Sequence, residues 1–230
     1  MLAHYQGRRV DLWRDEQPGK ILHELRVGEL TNLNILPYSP YYGAIDSTPL
    51  FLALVGLQAT WTGDLTLFHE LRDNIELALE WLAKYGDING DGFIDYQTES
   101  SRGLANQGWK DSGDAIVNAD CSLAVPPIAL VEVQRYVYLA KTLLADLFER
   151  AGEPDRAGQL RTEAATLREK FNRNFWLEDK GFYALALQRD GKPCAVLSSN
   201  PGQALWTGIA DPGKARRTVE ALMRGKMFND

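Results

Sequence analysis

The sequence predicts an all-α fold, a toroid built from helical hairpins and carrying one small β-hairpin. Three observations carry that prediction. Apolar residues recur at helical spacing in stretches bounded by glycine or proline, and no strand–helix–strand alternation is present. Six such stretches fall into three antiparallel pairs, joined alternately by tight turns and long loops. In such a toroid inner helices are apolar nearly all round and outer ones are amphipathic, and the chain offers both kinds.

Residues 1–46 show no clear period. Lys20–Arg26 alternates loosely, as a short strand or extended segment would, and Pro37–Gly43 is too rich in proline and tyrosine for a helix. Pro49 suits a first helical turn, and the dense apolar run Leu50–Ala59 predicts a buried inner helix over 48–61. Leu67, Leu71, Ile75, Leu79 and Leu82 predict a second helix over 65–85, stopped by Gly86. Residues 87–114 form a long loop, and Phe93, Ile94, Tyr96 and Trp109 argue that it is ordered. A third helix is predicted over 127–151, between Pro126-Pro127 and Gly152. The fourth, over 155–174, carries Arg156, Arg161, Glu163, Arg168 and Glu169 and reads as an outer helix. Residues 181–197 alternate around Asp190-Gly191, a hairpin-turn signal, and shorter helices follow over 201–210 and 213–224.

The 230 residues suffice for one large domain, and 45% hydrophobic with 24% charged residues is an ordinary globular composition. A net charge of −6 argues against a general affinity for nucleic acid or anionic membrane. No apolar run approaches the ~20 residues of a membrane span, and the N-terminus lacks the apolar core of a secretory signal. Cys121 and Cys194 match no metal spacing and read as free thiols of a cytoplasmic protein; no Asn-x-Ser/Thr site is present. His4, His23 and His69 show no ligand spacing; His23 stands beside Glu24 and Arg26, as a substrate contact or a structural ion pair would.

The chemistry concentrates in Asn106–Asp114, Asn-Gln-Gly-Trp-Lys-Asp-Ser-Gly-Asp. An indole for the apolar face of a sugar ring, polar groups for its hydroxyls and a carboxylic acid beside them suit a glycosidic bond. Asp87-Ile88-Asn89-Gly90-Asp91-Gly92-Phe93-Ile94-Asp95 has the first half of a calcium loop, with Asp87, Asn89, Asp91 and Asp95 at oxygen-ligand positions. Thr98 stands where the bidentate Glu belongs, so a hydrogen-bonded Asx-type turn without metal is favoured, and no other cofactor is implied.

Several motifs in one order resemble the bacterial amylo-α-1,6-glucosidase (glycogen debranching enzyme-like) family. They are Arg14-Asp15-Glu16 with Pro18–Arg26, Tyr41–Phe51, Asn106–Asp114, Glu132–Tyr136 and Asn200–Trp206. The resemblance implies a six-hairpin (α/α)6 glycosidase barrel, an inverting acid/base mechanism on α-glucosidic linkages, and an oligo- or polysaccharide substrate. Six helices against the barrel's twelve imply a partial toroid: residues 1–230 as one incomplete catalytic domain, without the family's N-terminal β-rich domain and remaining hairpins. An oligomer that completes the ring is one way to fill it. The catalytic base is then expected outside this chain.

The resemblance also suggests roles. Asp111 matches the general acid, with Asp114 in reserve; burial against Trp109 would raise the acid's pKa, and Lys110 nearby would oppose that. Asp111 reads equally as a helix N-cap with Asp114 three residues on. Asp46 matches a carboxylate that binds the terminal sugar, or caps the helix that follows, as Ser47 also could. Tyr41 and Tyr42 are candidate stacking platforms or packed core residues. Gln107, Trp109 and Lys110 line the cleft, and Trp206 either walls a subsite or packs in the core. Glu132 and Gln134, expensive to bury unpartnered, are expected to face the cleft. Glu24 and Arg26 are further candidate substrate contacts. Two other classes compete: a non-catalytic carbohydrate-binding or assembly protein, and the prenyl-chain enzymes, whose Asp-Asp-x-x-Asp clusters are missing from the sequence.

Overall fold

The structure is a computed structural model that describes residues 1–223. Among them the fold is mostly helical: α1 (Glu29–Asn32), α2 (Ser47–Thr62), α3 (Thr66–Glu70), α4 (Arg72–Lys84), α5 (Val131–Arg150), α6 (Pro154–Asn174), α7 (Gln203–Thr207) and α8 (Pro212–Leu222). Four two-residue strands, β1 (Ala129–Leu130), β2 (Trp176–Leu177), β3 (Phe182–Tyr183) and β4 (Ala186–Leu187), make two antiparallel pairs, β1 with β4 and β2 with β3. The predicted end of the last helix at 224, and the Arg224–Asp230 tail, lie outside the described residues.

The inner and outer roles are those of a partial six-hairpin toroid. α2 is apolar on every side, and it packs lengthwise on α5, which is backed by α6. α4 and α6 present one apolar face each, through Ile75, Ala78, Leu79 and Leu82 and through Leu160, Ala164, Leu167 and Phe171. The short α7 touches α5 and opens the third hairpin, which α8 closes. Glycine ends α2 through left-handed Gly63 (φ 73°).

α2 and α5 approach closely at Gly56, where an added Cβ would stand 2.5 Å from Leu143 Cβ. Alanine is the better helix former by about 1 kcal/mol, but the atom it would strike is next to the backbone and cannot swing away. Gly56→Ala is therefore expected to destabilise the fold by about 1–3 kcal/mol in urea unfolding; a stabilised variant would show that the two helices separate freely.

Three boundaries differ from the sequence reading. The predicted 65–85 helix is two helices, broken at Leu71 (φ −100°, ψ 14°). The break lies beside Arg72, which turns to bind both carboxylate oxygens of Glu153 at 2.5 and 2.7 Å and stacks on Phe148 at 4.4 Å. The third helix starts at Val131, not 127, because residues 129–130 are drawn into pairing with β4. Strand pairing near the hairpin is also redistributed. The Asp190-Gly191 turn forms, with Leu187 bridging Pro193, but β4 pairs with β1 and the regular hairpin is β2–β3 around Gly181. Nothing in the local alternation marks β1 as a long-range partner.

Candidate active site

From Tyr85 to Ile128 the chain has no helix or strand, so hydrogen bonds must hold it. Isolated bridges pair Tyr96 with Ile128 and Val117 with Leu123. Asn106 accepts from the Tyr96 hydroxyl at 2.9 Å and donates to the Ser112 carbonyl at 2.5 Å. The Gln107 carbonyl accepts the Ile45 amide at 2.8 Å, which lays the Asn106–Trp109 stretch against the chain entering α2. That bond sets the Trp109 amide near the Asp46 carboxylate, whose pKa it lowers.

Asp46 directly precedes α2 yet makes no side-chain cap bond, which sets aside its capping role. It is partly buried. Burial raises its pKa, opposed by the amides of Asp46 itself, Ser47 and Trp109 and by nearby His23. The charge of Asp46 raises the pKa of Glu132 and of Tyr136. Glu132 is fully buried at the start of α5, with Oε1 accepting from Asn200 Nδ2 at 2.8 Å; its pKa is raised by burial above all. Asp46 thus stands within electrostatic reach of His23, Glu132 and Tyr136, near the N-terminal ends of α2 and α5.

Other expected site residues stand differently. Asp111 and Asp114 are exposed, and no helix begins near them, so the helix-cap reading of Asp111 is removed. Trp109 is 54% exposed, with Lys110 Nζ 5.4 Å from its ring centroid; Trp206 on α7 is equally exposed. Both indoles are open to a ligand instead of packed in the core. Tyr41 and Tyr42 are buried and cannot stack on a sugar. The Tyr41 hydroxyl donates to Asp15 Oδ2 and accepts the Leu104 amide, both at 2.8 Å, and that of Tyr42 donates to the Tyr5 carbonyl at 2.8 Å. Gln107 is buried too, its side chain within 3.4 Å of Asp15 and Thr98.

Gln134 is corrected in the same way. Fully buried, it accepts the Ile94 amide at 2.9 Å and donates to the Ile94 carbonyl at 2.7 Å, as a strand neighbour would, so it braces the loop rather than facing a ligand. Glu24 and Arg26 form a two-point ion pair at 2.7 and 3.1 Å, and the guanidinium lies 4.3 Å from the Tyr38 ring centroid. His23 Nδ1 is 3.9 Å from Glu24.

The calcium-like segment folds as an Asx-type turn. Asp87 accepts the Asp91 and Gly92 amides, Asn89 the Asp91 amide, Asp91 the Phe93 amide and Asp95 the Ile88 amide, at 2.8–3.1 Å. The oxygens that would hold calcium are turned onto backbone donors. No cluster of three or more His, Cys, Asp or Glu side chains among the described residues is arranged to hold a metal ion.

Four residues went unassigned in the sequence. Asp15 and Asn200 lie inside the motifs that carry the resemblance, but a polar residue in a motif does not announce whether it bonds a ligand or a loop. Arg135 and Tyr136 close the Glu132–Tyr136 motif on α5, where the helical repeat from Glu132, i to i+3 and i to i+4, also groups them with it.

Among the described residues no helix is long and apolar enough to cross a membrane. No curated protein matches the chain. Residues 48–229, from the first turn of α2 onward, match the model of a family described as the mannosylglycerate hydrolase MGH1-like glycoside hydrolase domain. That description and the debranching-type motifs share glycoside hydrolysis and differ in the sugar. With an inner-helix toroid, a carboxylate-lined junction and open indoles in place, the chain belongs to the MGH1-like glycoside hydrolase domain family, and its substrate is a carbohydrate.

Proposed function

We propose that the chain supplies the sugar-binding half of an α-glucosidic hydrolase acting on glycogen- or maltooligosaccharide-type substrates, residues 1–230 being one incomplete catalytic domain. The observation that carries this is the meeting of Asp46 with the Trp109 amide, fixed by the Ile45–Gln107 bond. Asp46 accepts hydrogen bonds from adjacent sugar hydroxyls, Trp109 and Trp206 offer ring faces, and Lys110 completes the polar set. Asp111 is the general acid that protonates the glycosidic oxygen as the bond from C1 to that oxygen breaks. A carboxylate base removes a proton from the water that attacks C1 from the opposite face, inverting the anomeric centre.

The exposure of Asp111 favours a second reading, in which the chain binds carbohydrate without hydrolysing it. Calorimetric titration separates the sugars and the roles. Maltotriose, a branched maltooligosaccharide and mannosylglycerate form the panel, the last because of the family's description. Asp46→Ala is expected to weaken sugar binding about tenfold or more, the scale of one lost charged hydrogen bond. Asp111→Asn is expected to leave binding intact and to abolish any glucose release. Binding of mannosylglycerate alone would overturn the glucan assignment, and an unaltered Asp46→Ala would overturn the site.

A further inference from the structure

We propose that Arg135, on α5 one turn past Glu132, is the centre of a binding site for a small monovalent anion, a halide or short carboxylate. Arg135 has no exposed surface, and its Nε, Nη1 and Nη2 find no hydrogen-bond partner among the described residues. A guanidinium stays charged and carries five N–H donors, so burying it with none satisfied is among the least favourable arrangements a core can hold. The orphans are concentrated. Of eight buried side-chain atoms without a partner, six belong to Arg135, Glu132, Asn200 and Ser198.

Glu132, one turn before Arg135, forms no hydrogen bond or ion pair with it. Its Oε1 is taken by Asn200 and its Oε2 touches no donor, so the two side chains do not meet. Burial above all raises the Glu132 pKa, and the Arg135 charge opposes that rise. The Tyr136 ring lies 4.4 Å from the guanidinium carbon and covers one flat side, leaving the in-plane donors for a ligand. Asn200 joins the segment 195–201 to this cluster, with Nδ2 on Glu132 and Oδ1 unpartnered among the described residues. One guanidinium balances a single negative charge, so a monovalent anion fits. None of this depends on the sugar assigned to the cleft.

The test is the 35Cl NMR linewidth of sodium chloride with the protein, followed through a formate titration at constant ionic strength. The wild-type chain is expected to broaden the line beyond what surface cations produce, with saturable displacement by formate. In Arg135→Met, which keeps the packing volume, the displaceable part is expected to fall at least tenfold. Absence of displaceable broadening in the wild type, or its persistence in a folded Arg135→Met, overturns the site. If Arg135→Met does not fold, Glu132→Gln decides. The proposal expects it to bind anion at least as tightly, whereas loss of binding or of folding would make Glu132 the true counter-ion and overturn it.

Discussion

Asp15→Ala is expected to lower stability by about 3–5 kcal/mol, the cost of removing one partner from a buried charge and hydrogen-bond network. Asp15 is buried, with a left-handed backbone (φ 52°). Its Oδ1 accepts the Glu99 and Ser100 amides at 2.9 and 3.0 Å, and its Oδ2 accepts the Tyr41 hydroxyl at 2.8 Å, with Gln107 Nε2 at 3.4 Å. Buried Lys20 points Nζ at the Asp15 carbonyl, 3.3 Å away. Burial depresses the Lys20 pKa to about 8, and the charge of Asp15 is what opposes that fall. Alanine would orphan two amides and a phenol, and leave Lys20 without compensation. The same change loosens residues 99–107 from the N-terminal segment, leaving them the Ser100 hydroxyl on the Trp13 carbonyl and the Leu104 amide on the Tyr41 hydroxyl. Urea unfolding, with proteolysis mapped across 99–107, reads both effects. A loss under 1 kcal/mol with the loop still protected would mean that these bonds and Ile45–Gln107 hold the loop without Asp15. Asp15→Asn keeps an acceptor for the amides and should fall between the two.

The helices were legible because each rests on a repeated apolar face. α2, α5, α6 and α8 fall within a few residues of where their periods and their glycine or proline boundaries put them. The loop is another matter. Its order comes from single polar residues reaching far along the chain: Asp15 across 84 positions to the Glu99 amide, Gln134 across 40 to Ile94. Such bonds have no period, so a sequence cannot distinguish the glutamine that braces a backbone from one that waits for a sugar. Tyr41 illustrates the cost. A stacking face and a packed core residue both fitted its place, and its hydroxyl is a structural link in the Asp15 network. For Asp46 the sequence left a sugar contact and a helix cap open, and the capping bond is not made.

Asp95 gives the second large effect, and it depends on pH. The residue is buried, with Oδ1 on the Ile88 amide at 2.8 Å and Oδ2 unpartnered among the described residues. Burial first, and then the charges of Asp87 and Asp91, push its pKa up to about 7, while the Ile88 and Asn89 amides oppose them. A carboxyl whose pKa is higher in the folded than in the unfolded chain takes up a proton on folding between the two values. Its protonated form is accommodated at low pH, and the penalty for ionising it grows as the pH rises from about 4 to about 7. Three units correspond to about 4 kcal/mol, an upper figure for a side chain so near the loop surface. The wild-type chain should therefore lose stability between pH 5 and pH 8. Asp95→Asn keeps the acceptor for Ile88 and cannot ionise, so it should be the more stable form at pH 8 by about 2–4 kcal/mol and gain little at pH 5. Urea unfolding at the two pH values measures the difference, and subtracting one chain from the other cancels Lys20 and every other shared group. A gain that is equal at both pH values would mean that Asp95 does not titrate in this range. Added calcium decides what the turn is for. If the oxygens of Asp87, Asn89 and Asp91 are committed to backbone amides, calcium leaves both chains unchanged at pH 8; selective stabilisation of the wild type would mean that ionised Asp95 draws those oxygens back onto a metal.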